Sequence, residues 1–340
     1  MEILARNTND LQPYIYSLLR DHGTPDTSRN GPVLRFDEPV TIKLSHPWER
    51  VNFCPRRNAN PFFHLIESAA ILAGRNDIQL LSHFASNMRL YSDDGLTQNA
   101  FYGTRLRNTW GDQLVSIISL LQRDPNSRQA VAQIWDANDL MKVTKDKACN
   151  LLLMFAIRDG SLVMTSVNRS NDAIWGGVAG ANIVHLSFIH EYVTCALGLN
   201  MGEWWHFSNN LHVYTDNPLW KLLSDKDYTK MQLLNTIPYQ RIRRHSQLFS
   251  SPHRIGFDNE LSCAMTLMVH AVGAESELEP DYAFDSINDM IVVFNAWQKF
   301  KSKAVGSIDI NNYLQQMHAS DWRVACQAWI TRKLQEREIK

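Results

Sequence analysis

The sequence predicts a mixed α/β (α+β) fold in one core, with extra helices at its C-terminal end. Three observations carry that expectation. Residues 150–157 and 162–167 are apolar runs on either side of Arg158-Asp159-Gly160-Ser161, and an Asp-Gly turn between such runs signals a β-hairpin. Residues 111–123 place Leu114, Ile117, Ile118, Leu120 and Leu121 at helical spacing. The 340 residues are 44% hydrophobic and 20% charged, with no repeat, low-complexity segment or clear linker, so a large core is affordable.

Taken in order, residues 11–21 read as a helix ended by His22-Gly23. Residues 24–32 are turn-rich, with Arg29 near the centre. Residues 33–36 and 40–44 are short apolar strands joined by Asp37-Glu38-Pro39. Pro61 opens a helix at the position where proline is tolerated, and Gly74 stops it. Residues 78–90 read as a further amphipathic helix. Residues 101–107 are compact and aromatic-basic. Asp124-Pro125-Asn126-Ser127 is a turn, Arg128 follows it, and 130–135 is strand-like. Residues 181–197 read as a helix stopped by Gly198. Residues 203–214 are aromatic-rich and read as one strand, whose alternation puts His212 and Tyr214 on one face. Helices are expected over 260–272, 284–300 and 310–334.

Composition excludes some functions. A net charge of -1 disfavours a general nucleic-acid binder, which shows a basic excess on one face. The five cysteines are odd in number and scattered, against a disulfide framework or a zinc knuckle. No apolar run reaches the roughly 20 residues needed to span a bilayer, and residues 1–20 lack a secretory pattern. The expectation is a cytoplasmic protein with no metal.

The chemistry-bearing residues gather between 147 and 214. In the predicted hairpin, Cys149 enters the first strand and Arg169-Ser170 leave the second. Those ends are neighbours in an antiparallel pair. A cysteine is a nucleophile only as thiolate, and a nearby cation favours that form. Arg169 beside Ser170 also suits a phosphate, as a forked cation next to a hydroxyl. Asn182 offers a donor beside an acceptor, which matches a ring presenting N–H beside C=O, as uracil does. His212 and Tyr214 suit a sugar hydroxyl. Each has a plainer reading. A lone cysteine is most often a packed apolar residue, and a loop arginine such as Arg29 is usually just solvated. Glu67, with apolar neighbours on nearly every side, is either a buried carboxyl tuned for proton transfer or a carboxylate pointing to water or salt-bridged at a helix edge.

These residues are similar to those of the thymidylate synthase and pyrimidine nucleotide hydroxymethylase family. The matching segments run in order from 27 to 214: Ser28-Arg29-Asn30-Gly31, Asn60-Pro61-Phe62 through Glu67, Phe101-Tyr102-Gly103, Asp124-Pro125-Asn126-Ser127-Arg128, Ala148-Cys149, Asn168-Arg169-Ser170-Asn171-Asp172, Asn182-Ile183 and His212-Val213-Tyr214. A cysteine followed 20 positions later by Arg-Ser-x-Asp is the specific part.

The resemblance implies a thymidylate synthase-like mixed sheet sandwich with flanking helices. It implies one domain over 1–340, with a divergent, mainly helical region at about 220–340. It implies folate-dependent one-carbon transfer, from 5,10-methylenetetrahydrofolate to C5 of a pyrimidine 5′-mononucleotide. Cys149 would be the nucleophile, Glu67 the proton relay through water, and Tyr102 part of the wall. Arg29, Arg169 and Ser170 would hold the 5′-phosphate. Arg128 would reach a partner's phosphate across a homodimer interface. Asn182 would read the base, His212 and Tyr214 the sugar, and Asp172 the pterin.

The chain also departs from the family pattern. Gln129 stands where a second arginine is usual, Asn150 where a histidine follows the nucleophile, and Asn210 where an aspartate precedes the sugar-binding histidine. Residues 176–182 carry two extra residues before the asparagine. The apolar tail that closes over folate is replaced by the charged Gln335-Glu336-Arg337-Glu338-Ile339-Lys340. Water exclusion depends on such closure. The expectation is therefore dUMP converted to 5-hydroxymethyl-dUMP. The alternatives are dTMP formation, a cytidylate hydroxymethylase, and an idle nucleotide-binding protein.

Overall fold

The computed structural model describes residues 1–177, 180–234, 239, 247–249, 253–274, 276–303 and 306–338. Two sheets carry the strands. The larger contains β1 (Glu2–Ala5), β4 (Val40–Leu44), β9 (Asn200–Ser208), β7 (Ser161–Asn168), β6 (Asn150–Arg158) and β5 (Val131–Gln133), in that spatial order. The smaller contains β2 (Thr24–Ser28), β3 (Gly31–Arg35), β10 (Leu211–Tyr214) and β8 (Asn171–Asp172). Both sheets mix parallel and antiparallel pairs. The mixed α/β expectation holds.

The predicted hairpin is present, with Asp159 and Gly160 at positive φ in its turn and Arg158 opposite Ser161. Residues 24–32, expected as turn, instead form a second hairpin. Ser28 faces Gly31, so only Arg29 and Asn30 form its tip. Residues 33–36 and 40–44 do become strands, but in different sheets. The aromatic-rich run expected as one strand is two. Asn209 and Asn210 break it, and the chain passes from the larger sheet to the smaller.

One face of the larger sheet is core. The cross-strand row Ile3, Ile42, His206, Ser166, Leu153 and Ala132 is buried throughout. Against the core lie α1 (Thr8–His22), α2 (Pro61–Leu72), α3 (Ile78–Phe84), α4 (Tyr102–Arg107), α5 (Gln113–Arg123) and α6 (Asn182–Leu197). α2 follows Asn60, whose side chain accepts from Phe63 N, and opens on Pro61, so its start is fixed by capping and by proline. α6 is buried on nearly every side and forms the central helix. It ends at Gly198, which adopts the left-handed φ of 68° that glycine takes readily. The helix expected over 78–90 breaks at Ala85 into α3 and a short 3-10 turn.

The C-terminal helices are α7 (Pro218–Leu223), α8 (Lys226–Leu234), α9 (Arg254–Ala271), α10 (Asp285–Ser302), α11 (Ser307–Leu314) and α12 (Ser320–Glu338). The single helix expected over 310–334 is two, because Asp289 of α10 accepts from the backbone N–H groups of His318 and Ala319 and stabilises a turn there. This region packs onto the core. Trp297 stacks on Phe84 at 5.3 Å, and Phe62 of α2 meets Trp297 and Trp329 at 5.5 and 5.8 Å. Among the described residues, no helix is long and apolar enough to cross a membrane.

Candidate active site

The two sheets meet where β7 runs into β8 and β9 into β10. Asn209 N donates to Asn168 O, Asn171 N to Asn210 O and Ala173 N to His212 O, at 2.7–3.0 Å. Cys149 sits beside this junction, at the start of β6, where the register with β7 slips between Asn150 and Leu152. Such bulges re-aim side chains. Arg169 N donates to Cys149 O at 3.0 Å. The Arg169 guanidinium donates to Ala148 O at 2.9 Å and Lys147 O at 3.2 Å, and reaches Cys149 Sγ at 3.5 Å. The expected meeting of the two hairpin ends is therefore observed. Burial pushes the Cys149 thiol up; Arg169 and, less, Arg29 oppose it, while Asp146 adds to it.

A cavity of about 790 Å³ opens over this thiol. Cys149, Glu67, Tyr102, Ser170, Asp172, Asn182 and Tyr214 all line it. They come from both sheets, α2, α4 and the start of α6. Asn150, at the position after the thiol, lies against the Tyr102 phenol, whose own ionisation burial suppresses.

Glu67 has a partner that sequence reasoning missed. Nε2 of His185 lies 2.6 Å from Oε2 of Glu67. His64, one turn before Glu67, also lines the cavity. Burial holds its imidazole far below the usual range, with Arg57 and His185 adding to the effect. Glu67 is thus buried beside an imidazole and does not point to water. The signal for His185 was its spacing, three residues after Asn182 on one helix.

The remaining candidates are less central. Arg29 is exposed at the tip of the β2–β3 hairpin. Its neighbour Asn30 lines the cavity and donates to the Tyr214 hydroxyl at 3.4 Å. His212 and Tyr214 do share a face, their rings 5.2 Å apart. His212 is buried and holds Asn210 Oδ1 through Nδ1 at 2.9 Å; burial lowers its pKa. Arg128 is exposed beside a separate surface concavity with Arg123 and Asp124. It does not line the cavity of its own chain.

Asp172 has Oδ1 bonded by the backbone N–H groups of Ile174 and Trp175, at 2.7 and 3.2 Å. Burial raises its pKa despite them. Arg57, a second residue missed from sequence, is buried, stacks on Trp175 at 4.4 Å and donates to Ile174 O at 2.7 Å. Of the rebuilt loop before Asn182, residues 178–179 lie outside the described residues; so do 339–340 of the charged end. Among the described residues no cluster of three or more His, Cys, Asp or Glu side chains could hold a metal ion.

The chain is similar to known proteins over most of its length. Residues 65–244 match the family model described as thymidylate synthase. The deoxyuridylate hydroxymethyltransferase of Pseudomonas phage M6 is 35% identical over 353 aligned residues, spanning 97% of this chain and 94% of that protein. The protein of the same description from Bacillus phage SP01 is 40% identical over 201 residues, 55% of this chain and 52% of its own. A putative thymidylate synthase of Methanosarcina barkeri is 39% identical over 115 residues, 33% of this chain and 52% of its own.

Proposed function

Because the chain belongs to the thymidylate synthase family, we propose that it moves a one-carbon unit onto C5 of dUMP and releases 5-hydroxymethyl-dUMP. The observation that carries this reading is the convergence of Cys149, Glu67, Tyr102, Ser170, Asp172, Asn182 and Tyr214 on one cavity. The choice of hydroxymethyl over methyl follows the M6 relative, whose similarity extends through the C-terminal helices.

The Cys149 thiolate adds to C6 of the pyrimidine, and C5 becomes an enolate-like nucleophile. Arg169, 3.5 Å from Sγ, offsets the burial that disfavours the thiolate. The co-substrate 5,10-methylenetetrahydrofolate, when bound, supplies the one-carbon unit. Asp172 suits the pterin, since one oxygen is held by backbone and the other remains for a ring N–H. The buried Arg57 and exposed Trp175 extend the same wall. C5 bonds to that one-carbon unit; loss of the C5 proton, with the carbon–nitrogen bond breaking and its electron pair leaving on tetrahydrofolate, leaves an exocyclic methylene on the nucleotide. Water adds to it, the enolate re-forms the C5–C6 double bond, and the thiolate leaves. Glu67, through water, helps expel the folate and takes the proton of the adding water, and Tyr102 forms part of the wall beside the thiol. Asn182 reads uracil, Arg29 and Ser170 hold the phosphate, and His212 with Tyr214 hold the sugar.

Chain organisation belongs to the same reading. The apolar core runs without interruption from Ile3 to Ile330, which supports one domain over 1–340. The outer face of the larger sheet supports a homodimer. Its cross-strand row Leu4, Lys43, Trp205, Thr165, Met154 and Val131 is half-buried or exposed, and a largely apolar sheet face favours a partner. To Arg128, exposed just before β5, we assign the partner's phosphate. All five cysteines are free, which fits a reducing cytoplasm.

The test is incubation with dUMP or dCMP and methylenetetrahydrofolate, followed by mass analysis of the nucleotide. 5-Hydroxymethyl-dUMP with tetrahydrofolate is the expected pair of products. A methylated nucleotide with dihydrofolate would refute the reading.

A further inference from the structure

Hydration of the exocyclic methylene requires a base that takes a proton from water. The group best placed for this is Glu67, and its environment is unusual. Oε2 of Glu67 lies 2.6 Å from Nε2 of His185. Glu67 and His185 are 7% and 4% exposed, yet both line the cavity. The contact is a close approach and not an aligned hydrogen bond: among the described residues, neither Oε2 of Glu67 nor either ring nitrogen of His185 has a hydrogen-bond partner. An imidazole buried beside a carboxylate in this way is an expensive packing element, because each unpaired polar atom loses its hydration. His64 does not compete for the role, since burial keeps its imidazole neutral.

We propose that His185 is the positioning residue for Glu67. Its Nε2, already 2.6 Å from Oε2, swings its N–H onto that oxygen as substrate binds and leaves the other carboxylate oxygen to the cavity, where it receives the proton of the incoming water. This rests on the hydroxymethyl reading above. The step balances. The water oxygen bonds to the exocyclic methylene carbon, and the methylene π pair moves into the ring as the C4 enolate. The water proton passes to Glu67. The enolate then re-forms C5=C6, and the C6–Sγ bond breaks with its electron pair returning to Cys149. A carboxylate oriented by an imidazole N–H holds one geometry and one acceptor, which general-base catalysis needs.

The experiment compares His185→Gln, His185→Leu and His185→Ala with the wild type. It reads the KM for dUMP, tritium release from C5 of dUMP, and formation of hydroxymethyl product, with melting curves as the check on folding. His185→Leu is expected to keep KM and tritium release near the wild-type values and to lose product formation by about tenfold or more. His185→Gln, which retains an N–H donor, should keep more of it. Added imidazole should restore His185→Ala, while furan, of similar shape but without N–H, should not. Product formation by His185→Leu at the wild-type rate, or rescue by furan equal to that by imidazole, would overturn the proposal, because the ring would then only fill space. Should His185→Leu and His185→Ala fail to fold, His185→Met, which fills the space without an N–H donor, decides: product formation at the wild-type rate would overturn the role. A wild-type enzyme that makes no hydroxymethyl product sinks the functional reading, whereas failure of the variants beside a productive wild type sinks only the role of His185.

Discussion

Arg169 presents its guanidinium 3.5 Å from the sulfur of Cys149, from the paired end of the neighbouring strand. The same guanidinium holds the carbonyls of Ala148 and Lys147, so its position is fixed by the backbone that carries the thiol. Burial raises the Cys149 pKa, and Arg169 is the largest opposing influence. Only the thiolate reacts with iodoacetamide, so alkylation rises with pH. Arg169→Gln removes the cation and should move that pH profile upward, lowering the reactive fraction at neutral pH. Turnover should fall by about tenfold to a hundredfold, the range of a lost charge-assisted hydrogen bond. Arg169→Lys should restore little, because an ammonium cannot reproduce the fork that reaches two carbonyls and a sulfur. An alkylation profile unchanged by Arg169→Gln would refute this account.

Much of this pairing was legible before any coordinates. An Asp-Gly turn between two apolar runs fixes a hairpin, and a hairpin fixes which ends meet. Other parts were hidden for physical reasons. β2 carries Pro25, Asp26 and Ser28, a turn composition, and it is a strand because β3 pairs with it. The break at Asn209 and Asn210 has no glycine or proline to mark it. It exists because the chain changes sheets there. His185 belongs to no local motif, and its meaning comes from α2 packing across α6. The roles of Arg57 and Trp175 likewise depend on a stack between segments distant in sequence.

Asn182 opens α6 at the cavity wall. A carboxamide offers one donor and one acceptor, and uracil presents the complement. Asn182→Asp leaves acceptors only when ionised, so it should accept the exocyclic amine of cytosine and lose its donor to O4 of uracil. The ratio of kcat/KM for dCMP over dUMP is expected to rise by about tenfold or more. Steady-state assays with both nucleotides check this, and an unchanged ratio would remove Asn182 from base reading.

Trp297 of α10 links the C-terminal helices to the wall that carries Glu67. It stacks on Phe84, meets Phe62, and donates from Nε1 to His83 O at 2.9 Å. Arg332 of α12 adds a bond to Asn58 Oδ1 at 3.1 Å, and Asn58 lines the cavity. Trp297→Ala should lower stability by about 3–5 kcal/mol, as for other buried large-to-small changes, read from urea unfolding. Arg332→Ala removes a half-exposed bond and should change stability by less than about 1 kcal/mol while raising the KM for the folate. Equal stability losses in the two variants would argue against separate roles for packing and for wall placement.

The outer face of the larger sheet and Arg128 can be tested together. Met154 lies mid-row on that face, opposite Val131 and Thr165. A charge there would be buried in a sheet-to-sheet dimer, so Met154→Arg should give a monomer by sedimentation and abolish turnover with it. Subunit mixing then asks where Arg128 acts. Cys149→Ala lacks the nucleophile and Arg128→Ala lacks the phosphate ligand, so each homodimer should be severely impaired. In the mixed dimer, the site with an intact Cys149 faces a partner with an intact Arg128. Activity should therefore reappear on mixing after subunit exchange. If Arg128 served its own chain instead, every site in the mixed dimer would still lack one group, and mixing would recover nothing.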